Sequence, residues 1–217
     1  MSEKKLVITI GRQYGSGGHD IGKALAKKLG VKLYDKEMLK RAAKESGICE
    51  EIFESHDEKA NTSFLYSLVM DSYSLVMDTY STGAFSDMPL NHKVFLAQFD
   101  AIKHIAEEES CVMVGRCADY ALEEHENTIN VFICADLDKR IQRVVRELGV
   151  TNAKAKDIIT KNDKTRANYY NYYTNKEWGA ASSYDLCINS AKLGEEGAVQ
   201  AILDYIELRK TIKNPKL

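Results

Sequence analysis

Apolar positions along the chain gather into five short runs: Leu6–Ile10, Val31–Tyr34, Cys111–Val114, Asn130–Cys134 and, more weakly, Leu186–Asn189. Each is brief and β-branched residues are common in them, the pattern of strands covered on both faces of a parallel sheet. Between the runs, apolar residues recur with a helical period over Ile21–Leu29, Lys36–Lys44, Leu96–Glu108, Leu137–Leu148, Ala153–Tyr173 and Glu195–Thr211. Alternating strand and helix predicts an α/β fold with helices on both faces of one sheet. The chain has only 2 prolines, so its long helices run uninterrupted.

Residues 50–92 break the alternation. They carry a heptad duplication, Tyr66-Ser67-Leu68-Val69-Met70-Asp71-Ser72 followed by Tyr73-Ser74-Leu75-Val76-Met77-Asp78-Thr79. On a helix its Tyr, Val and Met positions form a stripe spaced by seven. That stripe suits an amphipathic helix packed on its own domain, or an interaction surface that pairs two copies as a homodimer. Two heptads fall short of a coiled coil.

At 217 residues the chain accommodates a single domain over 1–217 with residues 50–92 as a helical insertion. Its net charge of −2 supplies no basic field for nucleic acid. No apolar run approaches the ~20 residues that span a bilayer, and Met1-Ser2-Glu3-Lys4-Lys5 has no signal-peptide pattern. The 5 cysteines show no CxxC spacing, which points to reduced thiols in a cytoplasmic protein and to no metal site.

The first candidate chemistry follows the first run: Gly11-Arg12-Gln13-Tyr14-Gly15-Ser16-Gly17-Gly18-His19-Asp20. A strand, a glycine loop and a helix N-terminus form an anion cradle, because backbone N–H groups and the helix dipole converge on phosphate. The Walker A pattern, G-x-x-x-x-G-K-[ST], adds a lysine on the β/γ-phosphates and a hydroxyl on Mg²⁺. With the second motif glycine at Gly17, Arg12 takes the first glycine position, Gly18 the lysine and His19 the hydroxyl. A second register puts His19 at the lysine and Asp20 at the hydroxyl, and a third uses Gly17, Gly22 and Lys23, inside the expected helix. Geometry favours the first. Gly15, Ser16, Gly17 and Gly18 then present backbone donors, and Arg12, Lys23 or distant arginines supply the charge.

The same glycines also fit G-x₃-G-x-G (Gly11, Gly15, Gly17), with Asp35 after the second strand as a ribose ligand and Tyr172-x₃-Lys176 as a tyrosine–lysine pair. Those are the marks of a short-chain dehydrogenase. The serine such an enzyme needs about a dozen residues before the tyrosine is missing, as is an Asn-Ala-Gly turn after the third strand.

Ligands in open α/β sheets bind beyond the carboxyl ends of the strands. There the third strand delivers Gly115-Arg116, a bidentate grip for phosphate, and the second delivers Asp35 with Arg41 on the next helix. Asp35 also suits the N-cap of that helix. The helix at 137–148 is basic on one face, and Lys161, Lys164 and Arg166 lie on a later helix within residues 150–180, suited to a closing lid that brings cations to a migrating phosphoryl group. The cluster Tyr169-Tyr170-Asn171-Tyr172-Tyr173 is read as packing, with one or two tyrosines near the substrate.

In this order the pieces resemble the cytidylate kinase-like family, a divergent branch of the P-loop nucleoside monophosphate kinases. The resemblance rests on Ile8 to Gly18, on Leu29-Gly30 with Tyr34-Asp35, on Val114 to Tyr120, on Asp163 to Tyr170, and on Trp178-Gly179 with Tyr184 to Asn189. It implies a P-loop NTPase-type three-layer α/β/α fold with a helical insertion over 50–92, which binds the monophosphate, and a lid over 150–180. It implies ATP and Mg²⁺ as cofactors, a small-molecule acceptor such as CMP, and phosphoryl transfer between them. ATP then falls to Arg12, Gly15, Ser16, Gly17, Gly18 and His19, and the acceptor to Asp35, Arg41 and Arg116. Arg166 matches the lid arginine, and Arg166, Arg116 and Arg12 carry the catalytic charge. Cys117 stands where the family's Gly-Arg-Asp stretch has an acid, and Lys36 to Lys40 replace the middle of its acceptor motif.

Overall fold

The computed structural model describes residues 5–48, 52 and 89–212. Most of the 50–92 insertion, the heptad duplication included, lies outside the described residues. Along the chain run β1 (Val7–Arg12), α1 (Gly18–Leu29), β2 (Lys32–Tyr34), α2 (Lys36–Ser46), α3 (Leu90–Glu108), β3 (Cys111–Val114), α4 (Ala118–Ala121), β4 (Thr128–Cys134), α5 (Leu137–Leu148), α6 (Asn152–Thr174), β5 (Leu186–Asn189) and α7 (Ser190–Thr211).

All five strands are parallel, in the order β2-β3-β1-β4-β5. Ile10 of β1 stands level with Val114 of β3 and Val131 of β4, so the strands end together at one edge. A dinucleotide-binding sheet sets β2 directly beside β1. Here β3 lies between them, which runs against the dehydrogenase reading.

The strands alternate between two cores, as the two-residue period of a strand requires. Ile8, Ile10, Val112 and Val114 pack with Ile21 and Leu25 of α1 and Ile202 and Ile206 of α7. On the other face, Val7, Cys111 and Met113 pack with Phe95, Ile102 and Ile105 of α3 and Tyr169 and Tyr173 of α6. Each such large side chain, fully buried, stabilises the fold by about 1.5–3 kcal/mol. Most of the tyrosine cluster is core: the Phe95 and Tyr173 rings stack at 4.0 Å.

The elements differ from the sequence pattern mainly at their ends. The first helix begins at Gly18, not Ile21, because Gly17 already serves as its N-cap. α3 begins at Leu90, after Pro89, six residues ahead of its expected start. The polar residues there hide the helical period, yet His92 is buried and stacks on Tyr172. The single-turn α4 was too short to leave a periodic signal. Among the described residues, no helix is long and apolar enough to cross a membrane.

Candidate functional site: a glycine-loop cleft and an adjoining hollow

The glycine loop is shaped from inside. Past β1, Gln13 N–H donates to Ile133 O (3.0 Å) while its side-chain Oε1 accepts from Ala135 N–H (3.1 Å), so the loop is pinned to the end of β4. Ser16 turns its hydroxyl back onto Gln13 O (2.8 Å). Gly15 (φ 74°) and Gly17 (φ 79°) hold left-handed backbone that side chains rarely adopt. Gly17 brings no side chain to cap the first turn of α1, whose N–H groups have no intrahelical partner. That is the geometry of an anion cradle.

Distant residues hold the loop from outside. Asp163 on α6 accepts from Tyr14 N–H at 2.7 Å and from the Arg140 guanidinium of α5 at 2.5 Å. Ser190 at the start of α7 donates to Ser16 O (2.6 Å), inside the protein.

The loop floors a cleft open to solvent, whose cationic wall is Arg12, Arg143 and Arg166. Arg166 donates to Arg12 O (3.1 Å), and its guanidinium carbon lies 5.6 Å from the centre of the Tyr14 ring. Lys161 and Lys164, expected beside it, are exposed on α6. Gly22, on which the third loop register depends, packs against the sheet: a Cβ there would meet Ile10 at 3.1 Å and Val114 at 3.2 Å.

Arg12 and Arg166 also line a second, much narrower hollow beyond β1 and β3. Its centre is Arg116, buried to 4% exposure, whose Nη1 donates to Asp35 Oδ1 (2.5 Å) and to Val114 O (3.3 Å). Gly115, Arg116 and Cys117 all have positive φ (78°, 57° and 55°). For Arg116 and Cys117 this is strained backbone, of the kind that collects at ligand sites. Asp35 stands at the N-cap position of α2 but makes no side-chain cap bond. Its carboxylate is taken by Arg116 instead, with His19 Nε2 at 3.5 Å from its other oxygen. The expected N-cap role for Asp35 is therefore corrected: the ion pair outcompetes a cap.

The same hollow holds an acid. Asp119 accepts the Tyr170 hydroxyl (2.7 Å), and burial pushes its carboxyl above the ordinary range. Burial also raises the phenols of Tyr170 and Tyr184 beside it.

The structure thus brings Arg12, Gly15, Gly17, Gly18, His19, Asp35, Arg116 and Arg166 together, with Ser16 buried beneath the loop as a shaping residue. Arg41 lies elsewhere. Its guanidinium donates to Glu45 and to Glu108 (2.6 Å), and it lines neither hollow. Of the dehydrogenase-like pair, Tyr172 contacts His92 and Lys176 pairs with Glu123, both away from the loop.

Sequence reasoning gave no role to Arg143, Asp163 or Asp119. The only signal for Arg143 was the basic face of its helix, which solvated helices share. Asp163 and Asp119 become visible only through partners 149 and 51 residues away.

A sheet in this order, with a glycine loop between β1 and α1, defines a P-loop kinase fold. The model of the cytidylate kinase-like family matches residues 7–192, and the chain belongs to that family. It is 26% identical over 211 residues to the cytidylate kinase of Thermococcus sibiricus, covering 95% of this chain and 92% of the relative. The cytidylate kinase of Pyrococcus horikoshii is 25% identical over 212 residues, covering 95% and 93%. Among solved structures, an uncharacterized protein from Eubacterium ventriosum is 30% identical with a TM-score of 0.68, covering 94% of this chain and 99% of that one. Shikimate kinase from Bacteroides thetaiotaomicron shares the fold alone, at 16% identity and a TM-score of 0.52, covering 93% and 98%.

Proposed function

We propose that this protein is an ATP-dependent phosphotransferase acting on a nucleoside monophosphate, with CMP as the first acceptor to test. The observation that carries the reading is the pair of hollows joined by Arg12 and Arg166: a glycine cradle on one side and, on the other, buried Arg116, whose partner Asp35 borders the cradle. Phosphoryl transfer needs two anionic groups held in line, with cations around the migrating charge.

In this reading the loop and Arg12 hold the ATP phosphates, and Arg116, oriented by Asp35, holds the acceptor phosphate. An acceptor oxygen attacks the γ-phosphorus, the bond to the β,γ-bridging oxygen breaks, and ADP leaves. Arg166, between the hollows, faces the charge that develops in transfer.

Mg²⁺ keeps several waters and needs only one or two carboxylates besides substrate phosphates. Asp20 and Asp35, already paired with Arg143 and Arg116, line the loop cleft and would be the carboxylates to hold such an ion, which would offset the negative charge of the ATP phosphates.

A second reading, a nucleotide-binding protein with little catalysis, draws on Gly18 and His19 at the lysine and hydroxyl positions. Coupled ADP release over nucleoside monophosphates and small hydroxyl acceptors separates the two. Turnover with at least one monophosphate is expected. ATP binding without turnover on any acceptor would favour the binding protein.

A further inference from the structure

We infer that Arg143 supplies the charge that a P-loop lysine ordinarily provides, an assignment that rests on the kinase reading above. Position 18, where the lysine belongs, has no room for a side chain. A Cβ built on Gly18 would stand 2.5 Å from the Cβ of Arg12. A cation other than Arg12 must therefore reach the loop from another element.

Arg143 arrives from α5. A Cβ built on Gly17 would meet its Nη1 at 2.6 Å and its Cζ at 3.2 Å, so the guanidinium lies directly over the left-handed turn of the cradle. The side chain is held on three sides. Nε donates to Glu147 (2.8 Å), and Nη2 donates to Asp20 of α1 and Glu195 of α7, each at 2.6 Å. Nη1, the nitrogen facing the loop, makes no hydrogen bond to any described residue.

A planar guanidinium fixed at Nε and Nη2 keeps both N–H groups of Nη1 for a further acceptor. Here Nη1 is the nitrogen nearest Gly17 of the glycine loop. A cation set before the substrate arrives needs no reorganisation during the reaction, which is where electrostatic stabilisers gain most. Asp20 and Glu195 act as positioning residues through Arg143.

The test uses the whole chain, with MgATP as the probe. The variants are Arg143→Gln and Arg143→Met, so that a folding failure of one leaves the other, with Arg143→Lys as the conservative rescue. Arg146→Gln, an exposed arginine of the same helix, controls for net charge. Calorimetry is expected to show ATP binding weakened by about tenfold or more, with kcat down by about 10²–10³. Arg143→Lys should regain part of both losses, and Arg146→Gln should stay within about twofold of wild type. ATP binding and turnover unchanged in a folded Arg143→Gln or Arg143→Met protein would overturn the assignment. If the wild type binds ATP but transfers to no acceptor, the proposed function fails, while the ATP dissociation constants still decide the role of Arg143.

Discussion

Asp163 reaches Tyr14 across 149 residues of sequence, its carboxylate accepting the Tyr14 backbone N–H at 2.7 Å while it also holds Arg140. One side chain of α6 thus sets the entry to the glycine loop and neutralises a guanidinium only 10% exposed. Asp163→Ala removes both bonds and leaves that guanidinium without its counterion. The expected loss is about 2–3 kcal/mol, as for hydrogen bonds to charged groups. Asp163→Asn, which still accepts from Tyr14, should lose less. Urea denaturation of both variants checks the order.

Gly17→Ala tests the cradle from within. An alanine at φ 79° costs about 1–2 kcal/mol in backbone strain. Its Cβ would also push Arg143 off the loop, since Nη1 is only 2.6 Å away. Nucleotide affinity should therefore fall by more than the stability loss implies. Gly30→Ala is the control: it shares the left-handed strain (φ 67°) but meets nothing within 4 Å. Equal nucleotide affinity in the two variants would contradict the crowding of Arg143.

Two arginines after β2 and β3 separate by partner. Arg116 is buried and paired with the half-buried Asp35, so Arg116→Met should weaken acceptor binding and destabilise the fold by about 1–3 kcal/mol, the Asp35 carboxylate losing its charged hydrogen-bond donor. Arg41 spans Glu45 and Glu108 on the outer surface of α2 and α3. Arg41→Ala should change stability by less than about 1 kcal/mol and leave acceptor affinity alone. Equilibrium binding of CMP to the two variants reads the difference.

Asp119 makes stability depend on pH in a direction opposite to most carboxylates. Burial raises its carboxyl in the folded protein above the 3.8 of an ordinary aspartate. The native state therefore holds the proton more tightly than the unfolded chain. Its contribution is complete below the ordinary value and is lost as pH rises through the raised one. Asp119→Asn still accepts from Tyr170 and does not ionise. The stability difference, variant minus wild type, should grow in favour of the variant as pH rises from about 4 towards neutrality. A difference independent of pH would show that the carboxyl does not carry the extra proton.

The layered fold was legible because its signals are local. The β1 and β3 runs are apolar enough to mark buried strands without help from context. The glycine loop was legible for the same reason, since Gly15 and Gly17 announce backbone that other residues avoid. Strand order was not: nothing in Leu33 or Tyr34 tells that β2 pairs with β3 rather than with β1. Nor was the cationic wall, because Arg140, Arg143 and Arg146 look alike on one basic helix. Only the packing of α5 against the loop turns Arg143 inward and leaves Arg146 exposed. Arg41 was misleading because its spacing from Asp35 matches a family motif, while Glu45 and Glu108 draw it outward.

Ser190 donates its hydroxyl to Ser16 O from 174 residues further along the chain. The loop's glycines lie near the start of the chain, while two of the groups that brace it, Asp163 and Ser190, lie in its last third. The loop's inner bonds and its ties to β4 come from its own segment and mid-chain, whereas its last tether comes from the start of α7. The C-terminal helix is thereby part of the cradle's frame as well as of the core, so a substitution at Ser190 reaches the loop without touching its sequence.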